Sequence, residues 1–189
     1  MSSVLPVKIK KLPDLLRAAD YSVQNDDVKQ MIEGPAIEVL SRCEAGDILG
    51  SPQRCADVMY LLSIGDVQDE LPIGYENVDR KLRLLVADVV TEFGATEEDI
   101  QQIVMLAREL QSLKGRVVIH CEAGVSRSAA AALIMYTCWL GPGREREAMK
   151  RLLAQRPIAV PNRRMVQIAD GLLDRKGQLI SALDDEAAW

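Results

Sequence analysis

The sequence contains a single histidine, no C-x-x-C pair and no apolar stretch near the roughly 20 residues that a membrane helix needs. With only His120, adjacent to Cys121, a four-ligand zinc set does not assemble, so neither a metal nor any other cofactor is assigned. The first thirty residues carry Lys8, Lys10 and Lys11 but no long apolar run, which predicts a cytoplasmic chain that engages no membrane. Basic residues are not in excess either. The formal charge is -5, so the Lys/Arg surplus that nucleic acids and anionic membranes demand is missing, and neither partner is expected. The four cysteines, Cys43, Cys55, Cys121 and Cys138, come without a secretion signal and are expected as reduced thiols.

What is present is enough for one core: 189 residues, 48% of them hydrophobic, need neither disulfides nor metals to fold. Residues 1–35 are expected to be an N-terminal extension with short helices at 13–19 and 26–33, stopped by Gly34-Pro35. Residues 36–183 form the expected domain, and 184–189 a tail. Short apolar runs at 36–40, 57–65, 81–88 and 116–121 suit buried strands. Helical periodicity marks 41–49, 96–114, 144–155 and 162–176, and the Ala-rich run 129–140 is too long for a strand. Thr96 with Asp99 three residues later signals a helix start, and Gly115 is expected to close that helix. Strands alternating with helices predict a single α/β domain: a mainly parallel central sheet of four to five strands with helices on both faces.

Between the strand 116–121 and the helix 129–140 lies HCEAGVSRS, residues 120–128. A loop that closes onto a helix N-terminus turns backbone N–H groups inward, and the helix dipole adds positive potential. Glu122, Ala123, Gly124, Val125, Ser126 and Arg127 are thereby expected to cradle an anion, with Gly124 supplying the freedom to turn. Cys121 in that field loses its proton well below the usual value of about 8.5. The planar fork of Arg127 binds two phosphoryl oxygens at once, and the Ser128 hydroxyl can donate to the sulfur. A buried core cysteine beside a turn glycine is the plain alternative. The joint spacing of His, Cys, Gly, Arg and Ser weighs against it.

At these positions the chain resembles the cysteine-based protein tyrosine and dual-specificity phosphatases, whose signature is H-C-x-x-G-x-x-R followed by Ser or Thr. RPIAVPNRRMVQIAD, residues 156–170, is similar to the Pro-Asn turn and final helix of the compact dual-specificity group. Over about residues 36–183 the chain looks most like short bacterial tyrosine phosphatase-like proteins. The resemblance implies an aspartate upstream of the cysteine that protonates the leaving oxygen, and Asp88 stands in that position, 33 residues before Cys121. Where larger phosphatases carry Trp-Pro-Asp, this chain has Val86-Ala87-Asp88-Val89, which makes Glu92, Glu97, Glu98 and Asp99 rival acids and a solvated strand end the plain alternative for Asp88.

His120 is expected to hold the thiolate loop through hydrogen bonds, and Asn162 and Gln167 to orient water or loop backbone. Cys138 belongs to the core, and Cys43 or Cys55 is a candidate for a protective disulfide with Cys121. The resemblance implies metal-independent hydrolysis of phosphomonoesters through a cysteinyl-phosphate, on phosphorylated proteins, phosphotyrosine first, or on small phosphomonoesters, with phosphate and other oxyanions binding in the cradle. Residues 122–126 contain no Lys or Arg, which disfavours polyanionic phosphoinositides. A phosphoprotein-binding module with weak turnover, and more remotely a rhodanese-type sulfur transferase, are the competing functions.

Overall fold

Four apolar runs become strands in the computed structural model, which describes residues 34–186. They are β1 (Ala36–Ser41), β2 (Val58–Gly65), β3 (Lys81–Leu85) and β4 (Arg116–Cys121). All pairings are parallel, in the order β1-β4-β2-β3, with Ser41 opposite Cys121 and Ser63 opposite His120. Every strand therefore ends at the same edge of the sheet. The loops after Gly65, Leu85 and Cys121 meet there, which is where open α/β sheets bind ligands.

Among the described residues seven helices cover the sheet: α1 (Arg42–Leu49), α2 (Pro52–Cys55), α3 (Glu97–Leu110), α4 (Arg127–Leu140), α5 (Glu145–Gln155), α6 (Arg163–Leu172) and α7 (Gln178–Glu186). One face carries α1, with Leu40, Ala45, Ile48, Leu49, Leu61, Val78 and Val118 between helix and sheet. The other face carries α4 at its centre, packed by α3, α5 and α6. Strand β4 serves both cores because its side chains alternate: Val118 faces α1, whereas Val117, Ile119 and Cys121 face α4. Ala129, Ala130, Ala131 and Ala132 are fully buried, and their small side chains suit a helix with neighbours on every side.

Helix starts follow the capping chemistry. Ser41 and Glu44 form a reciprocal box at α1, and Thr96 and Asp99 form the expected one at α3. Four boundaries differ from expectation. Helix α3 ends at Leu110, and Gly115, at φ +135, stands against Met59 at the threshold of β4 instead of closing the helix. Strand β3 ends at Leu85, although the Val86 N–H still donates to the Gly65 carbonyl at 2.9 Å. Helix α4 begins at Arg127, two residues earlier than expected, which puts Arg127 and Ser128 in its first turn.

The fourth difference is at the C-terminal side, where the expected helix 162–176 divides. Asp174 and Lys176 have positive φ, and the Asp170 carboxylate accepts from the Gly177 and Leu179 amides at 2.7 and 2.9 Å, turning the chain into α7. Residues 184–186, expected as tail, belong to that helix; Asp184 pairs with Arg163 and Asp185 with Arg146. The helices expected at 13–19 and 26–33 lie outside the described residues.

Candidate functional site

Strand β4 ends at Cys121 and α4 starts at Arg127, so the chain must reverse across residues 122–126. Gly124 makes this possible at φ +69, where a Cβ would stand 2.4 Å from the Ser41 nitrogen and 2.5 Å from the Leu40 carbonyl carbon. The loop carbonyls are tied outward. Glu122 O accepts from Arg42 N, Val125 O from Val160 N, Ser126 O from Asn162 N and Gly124 O from the Arg156 guanidinium, at 2.9 to 3.2 Å. Arg156 also grips both oxygens of Glu44 at 2.9 Å, which links the underside of the loop to the start of α1. Arg156 and the Ser41 amide hold the Glu44 carboxyl down at about 2.

With the carbonyls turned out, the interior belongs to N–H groups and one sulfur. Cys121 is buried, and its Sγ lies 3.1 Å from the Ser128 Oγ. Burial pushes this thiol up, but the Ser128 hydroxyl and the amides of Ser128, Gly124 and Val125 outweigh it and hold the thiol below its ordinary value. The His120 side chain is buried, and neither ring nitrogen completes a hydrogen bond within normal limits, although the Cys121 backbone lies beside it. Burial lowers its pKa to about 4; the nearby Cys121 backbone opposes this without prevailing, and the ring is neutral.

Arg127, 6% exposed, donates from Nη1 to the Val86 carbonyl at 3.0 Å and lies 3.5 Å by Nε from Asp88 Oδ2. Asp88 is placed at the mouth by two further donors: Ser126 Oγ at 2.6 Å and Asn162 Nδ2 at 2.9 Å, both on Oδ1. Asn162 uses both ends of its amide, because its Oδ1 caps α6 by accepting from the Met165 amide at 3.2 Å. The rival acids are elsewhere: Glu97, Glu98 and Asp99 open α3, and Glu92 is exposed on the loop beyond Asp88. Gln167 is not part of this cluster. It is exposed on α6 and lines a separate depression with Glu97, Arg164 and Ile168.

Sequence reasoning missed several residues that the sheet edge gathers. Asp69, on the loop after β2, lies 3.4 Å from Arg127 Nη1; the Asp66 amide, against the effect of burial and with help from Arg127, holds its carboxyl below the usual range. Arg83 holds this loop, donating to Ser63 Oγ at 2.8 Å and to the carbonyls of Asp66 and Asp69. Arg42 engages both oxygens of Glu122 at 2.8 and 3.3 Å. Only the position of Asp69 just beyond a strand end was a usable signal; Arg42, Arg83 and Arg156 act through pairings between residues distant in sequence.

No protein-family model matches the chain, and no curated protein does. Solved structures do. Human DUSP28 matches with a TM-score of 0.56 at 18% identity, covering 75% of this chain and 94% of its own. The fold is that of the dual-specificity and tyrosine phosphatases. Tk-PTP in its active form matches equally, with a TM-score of 0.56 at 19% identity over 77% of this chain and 96% of that one. PTPMT1, solved in complex with PI(5)P, has a TM-score of 0.55 at 15% identity over 74% of this chain and 90% of that one.

Within this phosphatase fold the described cysteines are all free thiols. Cys55 precedes β2 at the opposite end of the sheet; Val58 pairs with Arg116, five residues before Cys121, so Cys55 is separated by roughly 16 Å of strand and cannot reach it. It lines a depression of about 610 Å3 with Met59, Asn77 and Arg80, remote from the cradle. Cys43 is exposed in the first turn of α1, two residues beyond Ser41, the strand partner of Cys121. Cys138 is partly buried against the core, which pushes its thiol up to about 11. Among the described residues no three His, Cys, Asp or Glu side chains group as a metal site, and no helix is long and apolar enough to cross a membrane.

Proposed function

We propose that this protein hydrolyses phosphomonoesters through a cysteinyl-phosphate, with phosphorylated proteins, phosphotyrosine first, as substrates. The observation that carries this reading is the convergence of three groups at one loop: a buried Cys121 contacting Ser128, the Arg127 guanidinium, and Asp88 held above them by Ser126 and Asn162. The Cys121 thiolate attacks phosphorus in line while the inward amides and Arg127 stabilise the equatorial oxygens. The bond to the leaving oxygen breaks, and that oxygen takes a proton from Asp88. Asp88 then removes a proton from water, whose oxygen attacks phosphorus; the S–P bond breaks and inorganic phosphate leaves. Ser128 donates to the departing sulfur in this second step. The positive charge comes from Arg127 and the backbone, so the mechanism calls for no metal.

Glu122 supports a protein substrate over a phosphoinositide, since the cation it brings near, Arg42, is already engaged by its carboxylate. Free thiols and a thiolate nucleophile suit a reducing cytoplasm. The second reading is a module that binds phosphoproteins with weak turnover. It is favoured by the Arg127–Asp88 contact, which engages the acid with the clamp. Hydrolysis of p-nitrophenyl phosphate and phosphotyrosine peptides with chelator present decides between them. The wild type is expected to turn over, and Cys121→Ser to lose at least about a thousandfold in kcat while still binding phosphate. Undiminished turnover by Cys121→Ser would remove the mechanism.

A further inference from the structure

One cavity adjoins the cradle and extends beyond the groups that carry the chemistry above. It measures about 580 Å3 and is lined by Asp88, Val89, Val90 and Thr91 from one loop, Val160, Pro161, Asn162 and Arg163 from another, and Ser126 from the cradle. It thus shares Asp88, Ser126 and Asn162 with the candidate site. Each wall carries apolar side chains open to solvent among its polar ones: Val90 is 64% and Val160 67% exposed. The Val160 position is fixed by the hydrogen bond that its N–H donates to the Val125 carbonyl at 2.9 Å, so this wall is registered against the cradle loop itself. Open apolar surface of this kind, beside a polar site, marks a place where a ligand's own apolar group is covered.

The charge around the mouth narrows the partner. Exposed carboxylates stand on the same sheet edge at Asp66 and Glu92, while its cations are engaged: Arg127 with Asp88 and Asp69, Arg42 with Glu122 and Glu70, Arg163 with Asp184. An anionic lipid surface would meet carboxylates here. A polypeptide with apolar and basic side chains near its phosphorylated residue would meet complementary ones.

We propose that the groove between residues 88–91 and 160–163 is a specificity subsite that receives an apolar side chain adjacent to the phosphorylated residue of a protein substrate. This deepens the phosphatase reading and rests on it for the identity of the bound phosphate. The subsite also explains why Asn162 and Ser126 present side chains to Asp88: the wall that selects the substrate and the acid that acts on it are tied together, and a seated substrate closes the groove over Asp88.

The test uses fluorescein-labelled phosphotyrosine peptides in which each of the two residues on either side is set to Leu, Gly or Asp, with p-nitrophenyl phosphate run in parallel. For the wild type, Leu at one of these positions is expected to raise kcat/KM about tenfold over Gly, and Asp to lower it. Val90→Asp with Val160→Asp is expected to abolish the Leu preference, whereas Val90→Leu with Val160→Leu, which keeps the wall apolar, retains it. Equal kcat/KM for all three series in an enzyme that hydrolyses p-nitrophenyl phosphate overturns the subsite alone. So does a Leu preference that survives the aspartates, or faster release of phosphate from phosphatidylcholine vesicles carrying a phosphoinositide than from any peptide. If the wild type turns over nothing, the phosphatase reading has failed by itself. Fluorescence anisotropy of the same peptides then decides the subsite: a Leu preference in binding keeps it, and flat binding ends it.

Discussion

Two kinds of loop meet at one edge of the sheet. The cradle, residues 121–128, has its carbonyls bonded outward to four neighbours and its interior filled by a sulfur, a hydroxyl and amides. The loops at 66–73 and 86–93 instead expose Val67, Leu71, Ile73, Val89, Val90 and Phe93. Catalysis of phosphoryl transfer needs donors that do not move, whereas recognition of a variable partner needs apolar surface that remains uncovered until the partner arrives. Asp88 belongs to both, since it sits on a rim loop but is bonded to the cradle by Ser126 and to α6 through Asn162.

The contrast is sharpest where a change of a few atoms should affect one side only. Asp88→Asn, which keeps size but not the proton, is expected to lower kcat by about 10²–10⁴ with KM little changed. Asp69→Asn, the other carboxylate near Arg127, should cost less than about tenfold, since it removes one contact to a charged group. A larger loss at Asp69 than at Asp88 would transfer the acid role between loops. Gly124→Ala should destabilise the fold by roughly 2–5 kcal/mol, combining a left-handed backbone with a Cβ forced onto the Ser41 and Leu40 main chain. Denaturant melts at fixed pH measure this. A near-neutral result would mean that the cradle is less rigid than its hydrogen bonds indicate.

The underside of the cradle should also carry the acid sensitivity. His120 has a pKa of about 4 folded against 6.5 as a free group, so on acidification the unfolded chain takes up the proton first. The stability due to neutral His120 is complete above about 6.5 and is lost as pH falls towards 4, roughly 3 kcal/mol in all. Glu44, held at about 2, adds a further loss below its ordinary 4.5, reduced because the side chain is partly exposed. A stability that stays flat from about pH 7 to about pH 4 would refute the His120 part, and one that then stays flat from about 4.5 down to about 2 would refute the Glu44 part. The smallest effect is expected on the rim: Phe93→Ser, at a side chain 81% exposed, should move stability by less than about 0.5 kcal/mol.

Much of this was legible in the sequence because it is local. The Cys-x-x-Gly-x-x-Arg-Ser spacing lies between a strand and a helix, and a strand-loop-helix unit of that length can close only by turning its amides inward. Asp88 was legible from its place after an apolar run. The error at Gly115 arose because a glycine near a helix end can equally serve the next element, and here it makes room for Met59. The division of 162–176 into two helices depends on Asp170 reaching the Gly177 and Leu179 amides, which periodicity does not report. The burial of His120 follows from its place on β4, but which group its ring engages is set by neighbours that the sequence does not report; the Cys121 backbone is the one beside it.

By itself the sequence determined the alternation of strands and helices, the reversal at Gly124 and the placing of Cys121, Arg127 and Ser128 about a helix start. Each of these is set by residues a few positions apart, through periodicity, φ preference and the field at a helix start. Tertiary structure alone decided which groups come to that loop from far along the chain. Asp69, Arg156 and the valine-lined groove reach the cradle because parallel strands end at one edge and the 156–162 segment folds back to bond there, and such long-range pairing leaves no local signature to read.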